Sequence, residues 1–282
     1  MLVLDMWYRL IDFIIPFQWV DHAFMKNALL AILLVTPLFG ILGTMIVSNR
    51  MAFFSDALGH GAFTGLAIGS VIGIIKPLWG AVAFSILFAL IITIIKNKSR
   101  TSTDTIIGVF SSIAIAVGIV IMSFGGSFNK YSSYLIGDLL SISSAEIVML
   151  IIIFIGVIVL WLFIFNKLLL ISINQSLASS RGVNTLLIEI LFTSAVAIIV
   201  TVSIQWVGLL IINSLLVLPA AASRNITANV RQYHFVSIII AVFSGVSGLI
   251  LSYYWNTATG ATIVLVSGVL FFLTLVIKNR FS

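Results

Sequence analysis

The apolar residues of this chain fall into long unbroken runs, without the alternation of a strand or the one-sided stripe of a surface helix. Between charges, the runs cover residues 27–49, 57–75, 77–95, 105–129, 147–166, 190–205, 206–223, 235–254 and 257–277. Most approach the roughly 20 residues a helix needs to cross the hydrocarbon core of a bilayer. Residues 190–223 carry no charge over 34 positions, too long for one ordinary span, and a break is expected near Ser203, Gln205 and Gly208. The pattern predicts an all-α polytopic membrane protein with nine spans, or eight if one segment is re-entrant. Residues 1–26 read differently. Trp7, Tyr8, Phe13, Phe17 and Trp19 are interleaved with charges, which predicts an interfacial helix broken at Pro16. Asp5, Asp12 and Asp21 argue against a cleaved signal peptide there. The expected organisation is an interfacial segment, 1–26, and a single transmembrane unit, 27–282.

Composition strengthens this reading. Of 282 residues, 61% are hydrophobic and 8% charged, against about 25% charged in a soluble domain. A soluble fold could not cover its surface with so few charges. No room remains for a soluble module of about 100 residues, so any ATP hydrolysis belongs to another chain. The net charge of +6 is not a nucleic-acid signal, because the basic residues lie between spans. With no cysteine, thiolate metal sites and disulfides are excluded.

The basic residues also orient the chain. With nine spans and the N-terminus outside, the cytoplasmic loops hold Arg50, Lys96, Lys98, Arg100, Lys167, Arg181, Arg224, Arg231, Lys278 and Arg280, ten of fourteen. Arg9, Lys26, Lys76 and Lys130 remain outside. By the positive-inside rule the C-terminus is cytoplasmic. The outer loop 130–146 then holds Asp138 and Glu146, both expected to be solvated. The inner loop 167–182 is the longest cytoplasmic connection. Its residues 174–181 suit a short helix, with Asn174 as N-cap and Gly182 just beyond the end.

Candidate chemistry concentrates in the second run. Gly61, Gly65, Gly69 and Gly73 recur every four residues and form a smooth helical stripe for close packing. Asp56, His60 and Thr64 recur at the same spacing, about 100° round the helix. A carboxylate and an imidazole one turn apart can touch one ion. Oxygen plus nitrogen suits Zn²⁺ or Mn²⁺, and an ionisable pair inside a span marks function by default. The structural alternative is a helix-capping Asp56 and a His60 bonded to a neighbour. Asn213 and Ser214 sit mid-run before Pro219, as pathway lining or as a packed polar contact. Asp104 and Glu189 read as charges at span ends, the latter solvated. No phosphate-binding loop and no H-E-x-x-H occurs. An ion-coupled secondary transporter with Asp56 and His60 as a proton relay is a competing class. An intramembrane aspartyl hydrolase is disfavoured, because Leu135 stands where its Gly-x-Gly-Asp motif needs glycine.

Several stretches then share one likeness. The segment from Arg50 to His60 resembles "R-M-x-x-x-x-D-x-x-x-H", and that from Thr103 to Gly108 resembles "x-D-T-x-x-G". The segment from Tyr134 to Leu140 resembles "Y-L-F-G-D-L-L", and that from Trp206 to Ala222 resembles "V-G-x-L-L-[IV]-x-x-L-L-x-x-P-A-A". The stretch Gly260 to Leu265 resembles a last-span motif. Together and in order, they resemble the ABC-3 membrane permeases of bacterial ABC metal importers, most closely the zinc-uptake members. The resemblance implies a type II-like importer permease in the bacterial plasma membrane. It implies a homodimer served by two cytoplasmic ATPase subunits, which hold the ATP, and by an extracytoplasmic metal-binding protein. Zn²⁺, or alternatively Mn²⁺ or Fe²⁺, is then cargo, and the chain itself carries no cofactor. The resemblance further implies that Asp56 and His60 handle metal, and that Asn174, Gln175, Ala178, Arg181 and Gly182 belong to the loop helix that docks on the ATPase. That loop usually opens with an acidic residue, where this chain has Asn174 and Gln175.

Overall fold

The computed structural model describes residues 2–14, 18–73, 76–125, 134 and 137–281. Among them there are helices, turns and short 3-10 segments but no strand. The helices are α1 (Leu2–Ile14), α2 (Ala23–Ser48), α3 (Phe54–Ile72), α4 (Pro77–Lys98) and α5 (Thr103–Gly125). They continue with α6 (Ser144–Ile173), α7 (Gln175–Ser180), α8 (Thr185–Val207), α9 (Leu209–Ile226), α10 (Val230–Trp255) and α11 (Thr259–Phe281). Among the described residues each apolar run centres on its own helix, although the run 206–223 begins with Trp206 and Val207 at the end of α8 before α9 takes over. Seven of these, α2, α4, α5, α6, α8, α10 and α11, are long and apolar enough to cross a membrane. The other two, α3 and α9, are shorter or more polar, and they meet at the candidate site.

Local chemistry sets the boundaries. Asn184 and Asn229 cap α8 and α10 by accepting from Leu187 N–H and Gln232 N–H. Pro77 opens α4, where a missing N–H costs nothing. Ser143 and Glu146 form a reciprocal capping box at the start of α6. Glu146 is therefore a helix-starting residue and not a free loop charge; its other oxygen accepts from Gln205 Nε2 at 2.8 Å. The charge-free run breaks at Gly208, with φ +89° and ψ +143°, values a side chain would make costly.

The loop expected at 167–182 is shorter than charge spacing implied. Helix α6 runs through Lys167 to Ile173, because Ile164, Leu168 and Ile171 continue one buried stripe. Lys167 interrupts the hydropathy but not the helix. At its N-terminal end the chain is tied down by Trp7 Nε1, which donates to Lys26 O at 3.0 Å, and by Tyr8 Oη, which donates to Asn27 Oδ1 at 2.6 Å. Asp12 pairs with Lys26 at 2.5 Å. The expected break at Pro16, and Lys130, lie outside the described residues.

The glycine stripe sets the position of α3. A Cβ on Gly65 would lie 2.7 Å from Ala81 Cα, and one on Gly61 would lie 2.9 Å from the Phe88 ring. Gly69 faces Pro77 of the same neighbour at 3.3 Å. These glycines bring α4 against α3. Gly73 does not belong with them: nothing lies within 4 Å of its added Cβ, and at φ +79° it ends the helix in the left-handed conformation. From the opposite helix α5, Gly118 approaches Thr64, and Gly59 of α3 faces Leu209 of α9. Helix α3 is thus enclosed by α4, α5, α8 and α9.

Candidate metal site

Helix α3 starts from a tight turn. Arg50 takes φ +56°, and Met51 N–H donates to Ile46 O at 2.9 Å. Phe53 stands at the N-cap without a side-chain cap, and Asp56 supplies the acid of the first turn, where the helix dipole favours it. One turn on, His60 Nε2 lies 3.5 Å from Asp56 Oδ2. The His60 side chain is 19% exposed and that of Asp56 39%, whereas Ala57, Gly59 and Gly61 are buried. The pair therefore opens to one side of the single chain while the rest of the turn is packed. Among the described residues no group of three or more His, Asp or Glu side chains could hold a metal. One chain offers an ion two ligands, an oxygen and a nitrogen.

The expected pathway residues separate. Thr64 is fully buried; its hydroxyl donates to Ala114 O at 2.5 Å and lies 3.1 Å from His60 O. That commits Thr64 to the α3–α5 contact. Asn213 reaches the site region: its Oδ1 accepts from the hydroxyl of Ser55, the buried neighbour of Asp56. Ser214 is half-buried beside it. Ser55 was not among the expected site residues, although a hydroxyl next to the one acid of the span was a legible signal.

At the basic-rich end, α7 forms between Asn174, whose side chain accepts from Leu177 N–H at 3.0 Å, and Gly182 at φ +75°. Arg181 occupies the C-cap. Ala178 is buried, while Gln175, Leu177 and Ser179 are exposed, so α7 presents a free face anchored by one small residue. Gln175 nevertheless reaches α4, its Nε2 donating to Asn97 Oδ1 at 2.9 Å.

Glu189 corrects the sequence reading. It is 6% exposed rather than solvated. Its Oε2 accepts from Asn97 Nδ2 at 2.6 Å and pairs with Lys96 Nζ at 3.2 Å, joining α8 to α4. Its position near the start of α8 concealed this, because only tertiary packing brings the end of α4 alongside. Asp104 does stand exposed in the first turn of α5, and Asp138 stays exposed while capping the 3-10 turn Leu139–Ser141.

Comparison with known proteins identifies the family. The ABC 3 transport family profile matches residues 21–278. The chain is 31% identical to the high-affinity zinc uptake system membrane protein ZnuB of Buchnera aphidicola over 86% of this chain and 93% of that one. It is 30% identical to the manganese transport system membrane protein MntC of Listeria monocytogenes, over 90% of each chain. Among solved structures it resembles PsaBC from Streptococcus pneumoniae in complex with Fab, with TM-score 0.78, 27% identity and 94% of each chain covered. With a family match over nearly its whole length, a multi-span helical fold and relatives that are transport permeases rather than enzymes, this chain belongs to the ABC 3 transport family.

Proposed function

We propose that this chain is the membrane permease of an ATP-driven importer for a divalent transition metal, and that Asp56 and His60 handle the ion in transit. One observation carries the reading. A carboxylate and an imidazole stand 3.5 Å apart, one turn apart, on an enclosed helix but opening to one side of the chain. Zn²⁺ takes four ligands in a closed site, so two per chain hold it only in passing. A second copy of the chain, facing the first across that side, supplies the other two. Imidazole suits Zn²⁺ better than Mn²⁺, and the likeness to ZnuB supports zinc as cargo. The likeness to MntC and to the manganese import permease ScaB of Streptococcus gordonii supports Mn²⁺ as the second reading.

The remaining parts rest on the likeness to the ABC 3 transport family. The chain has no phosphate-binding loop, so ATP belongs to a cytoplasmic ATPase dimer, which docks on α7. An extracytoplasmic metal-binding protein delivers the ion to the opposite face. Residues 27–282 act as one transmembrane unit, with α1 at the interface.

Reconstituted with these partners in vesicles, the chain should take up radiolabelled Zn²⁺ only when ATP is supplied to the ATPase side. Excess Mn²⁺ should compete poorly if zinc is the cargo. Metal entry driven by an ion gradient without ATP would place the chain among secondary transporters instead. Orientation has its own measurement. Since the chain has no cysteine, Lys130→Cys should label with an impermeant thiol reagent in intact cells and Lys278→Cys should not. The reverse pattern would invert the topology.

A further inference from the structure

We propose that Gln175, Asn97, Glu189 and Lys96 form a positioning relay that ties α7 to the turn opening α3, so that displacement of α7 reaches the Asp56–His60 pair. The proposal rests on the reading of α7 as the ATPase-docking helix.

The contacts are continuous. Gln175 of α7 donates to Asn97 of α4 at 2.9 Å, and Asn97 donates to Glu189 of α8 at 2.6 Å. Glu189 pairs with Lys96 at 3.2 Å, and Lys96 Nζ lies 3.8 Å from Met51 Sδ. Met51 is 2% exposed and its carbonyl accepts from Phe54 N–H at 2.9 Å, at the first residue of α3. Asp56 follows two residues later. Stability alone does not account for the arrangement. A buried ion pair is often no better than apolar residues of the same volume, and apolar residues make up most of the buried positions among the described residues.

The polarity of the chain of bonds is forced. The Asn97 amide nitrogen gives its hydrogens to Glu189 Oε2 and to Thr93 O, the latter at 3.0 Å. Its oxygen must therefore accept, and the residue at position 175 must donate. Glutamine can donate; an ionised glutamate cannot. Turning the Asn97 amide over to suit a glutamate would set its oxygen against the Glu189 carboxylate.

The Gln175→Glu variant separates relay from scaffold. Gln175 is exposed at the first position of α7, where an acid otherwise suits a helix start. If Gln175 only helps build α7, the glutamate variant should couple as well as wild type and better than Gln175→Ala. The relay requires the opposite order. The test is the amount of radiolabelled Zn²⁺ or Mn²⁺ taken up per ATP hydrolysed by the complete complex in vesicles. Gln175→Ala should lower that ratio about fivefold, the equivalent of one net hydrogen bond, and Gln175→Glu should lower it further. Asn97→Ala combined with Gln175→Ala should lose less than the two separate losses together, because both remove the same bond. A parallel Ser179→Cys variant, at the exposed face of α7, should cross-link to the ATPase. If the cross-link forms and Gln175→Glu keeps the wild-type ratio, or the double variant is simply additive, the relay is wrong and docking stands. If no cross-link forms, the docking reading falls and the relay with it.

Discussion

Replacing Asp56 or His60 by alanine is expected to lower metal uptake by on the order of 100-fold while leaving assembly with the ATPase intact. The magnitude follows from coordination. Substituting a residue that only supports a metal ligand typically costs 10–100-fold, and removing one of the two ligands proposed per chain is at least as severe. Assembly should survive for structural reasons. Asp56 and His60 are partly exposed, and their mutual contact at 3.5 Å is long for a hydrogen bond. The close packing of α3 runs through Gly61, Gly65 and Thr64, which the substitutions leave alone. Two kinds of measurement are needed, initial uptake of radiolabelled metal and co-purification of the ATPase. A double alanine variant that transports at the wild-type rate would show that the pair is structural, as a capping Asp56 and a neighbour-bonded His60 would be.

The second large effect concerns coupling. Ala178→Pro should abolish metal-stimulated ATP hydrolysis in a permease that still inserts and remains folded. The Ala178 N–H donates to Asn174 O at 3.0 Å, and the residue is fully buried on the packed face of α7. Proline deletes that donor and drives its ring against the preceding turn, at about 3 kcal/mol or more in a helix interior. A helix of six residues, Gln175–Ser180, has no further turns to absorb the loss. The damage stays local, since α6 closes with Asn174 N–H donating to Leu170 O at 3.0 Å, and α8 has its own cap at Asn184. Circular dichroism and thermal inactivation should therefore change little while ATPase stimulation disappears. Wild-type stimulation in this variant would remove α7 from the coupling route.

How much of this was readable in advance differs from residue to residue. The spans were legible because the cost of exposing charge or bare backbone to lipid acts on each segment separately. Runs of apolar residues therefore report spans without any knowledge of the neighbours. The break at Gly208, the cap at Asn174 and the end of α7 at Gly182 were legible for the same reason: each answers a need of the local backbone. The Asp56–His60 pair was legible because a four-residue spacing on a helix is itself a distance. What the sequence could not decide were relations between helices. Gly73 shares the spacing of Gly61, Gly65 and Gly69, yet it ends the helix, because α3 has already unwound where a neighbour would be met. Thr64 shares the spacing of Asp56 and His60, yet its hydroxyl is claimed by Ala114 of α5. Glu189 resembles any charge near a span end, and only the packing of α8 on α4 makes it a buried partner of Lys96 and Asn97. Periodicity along one helix names the face a residue occupies. Which helix lies against that face depends on crossing angles and depths that no single segment encodes, and these decided which polar residues became packed contacts and which stayed open at the surface of the chain.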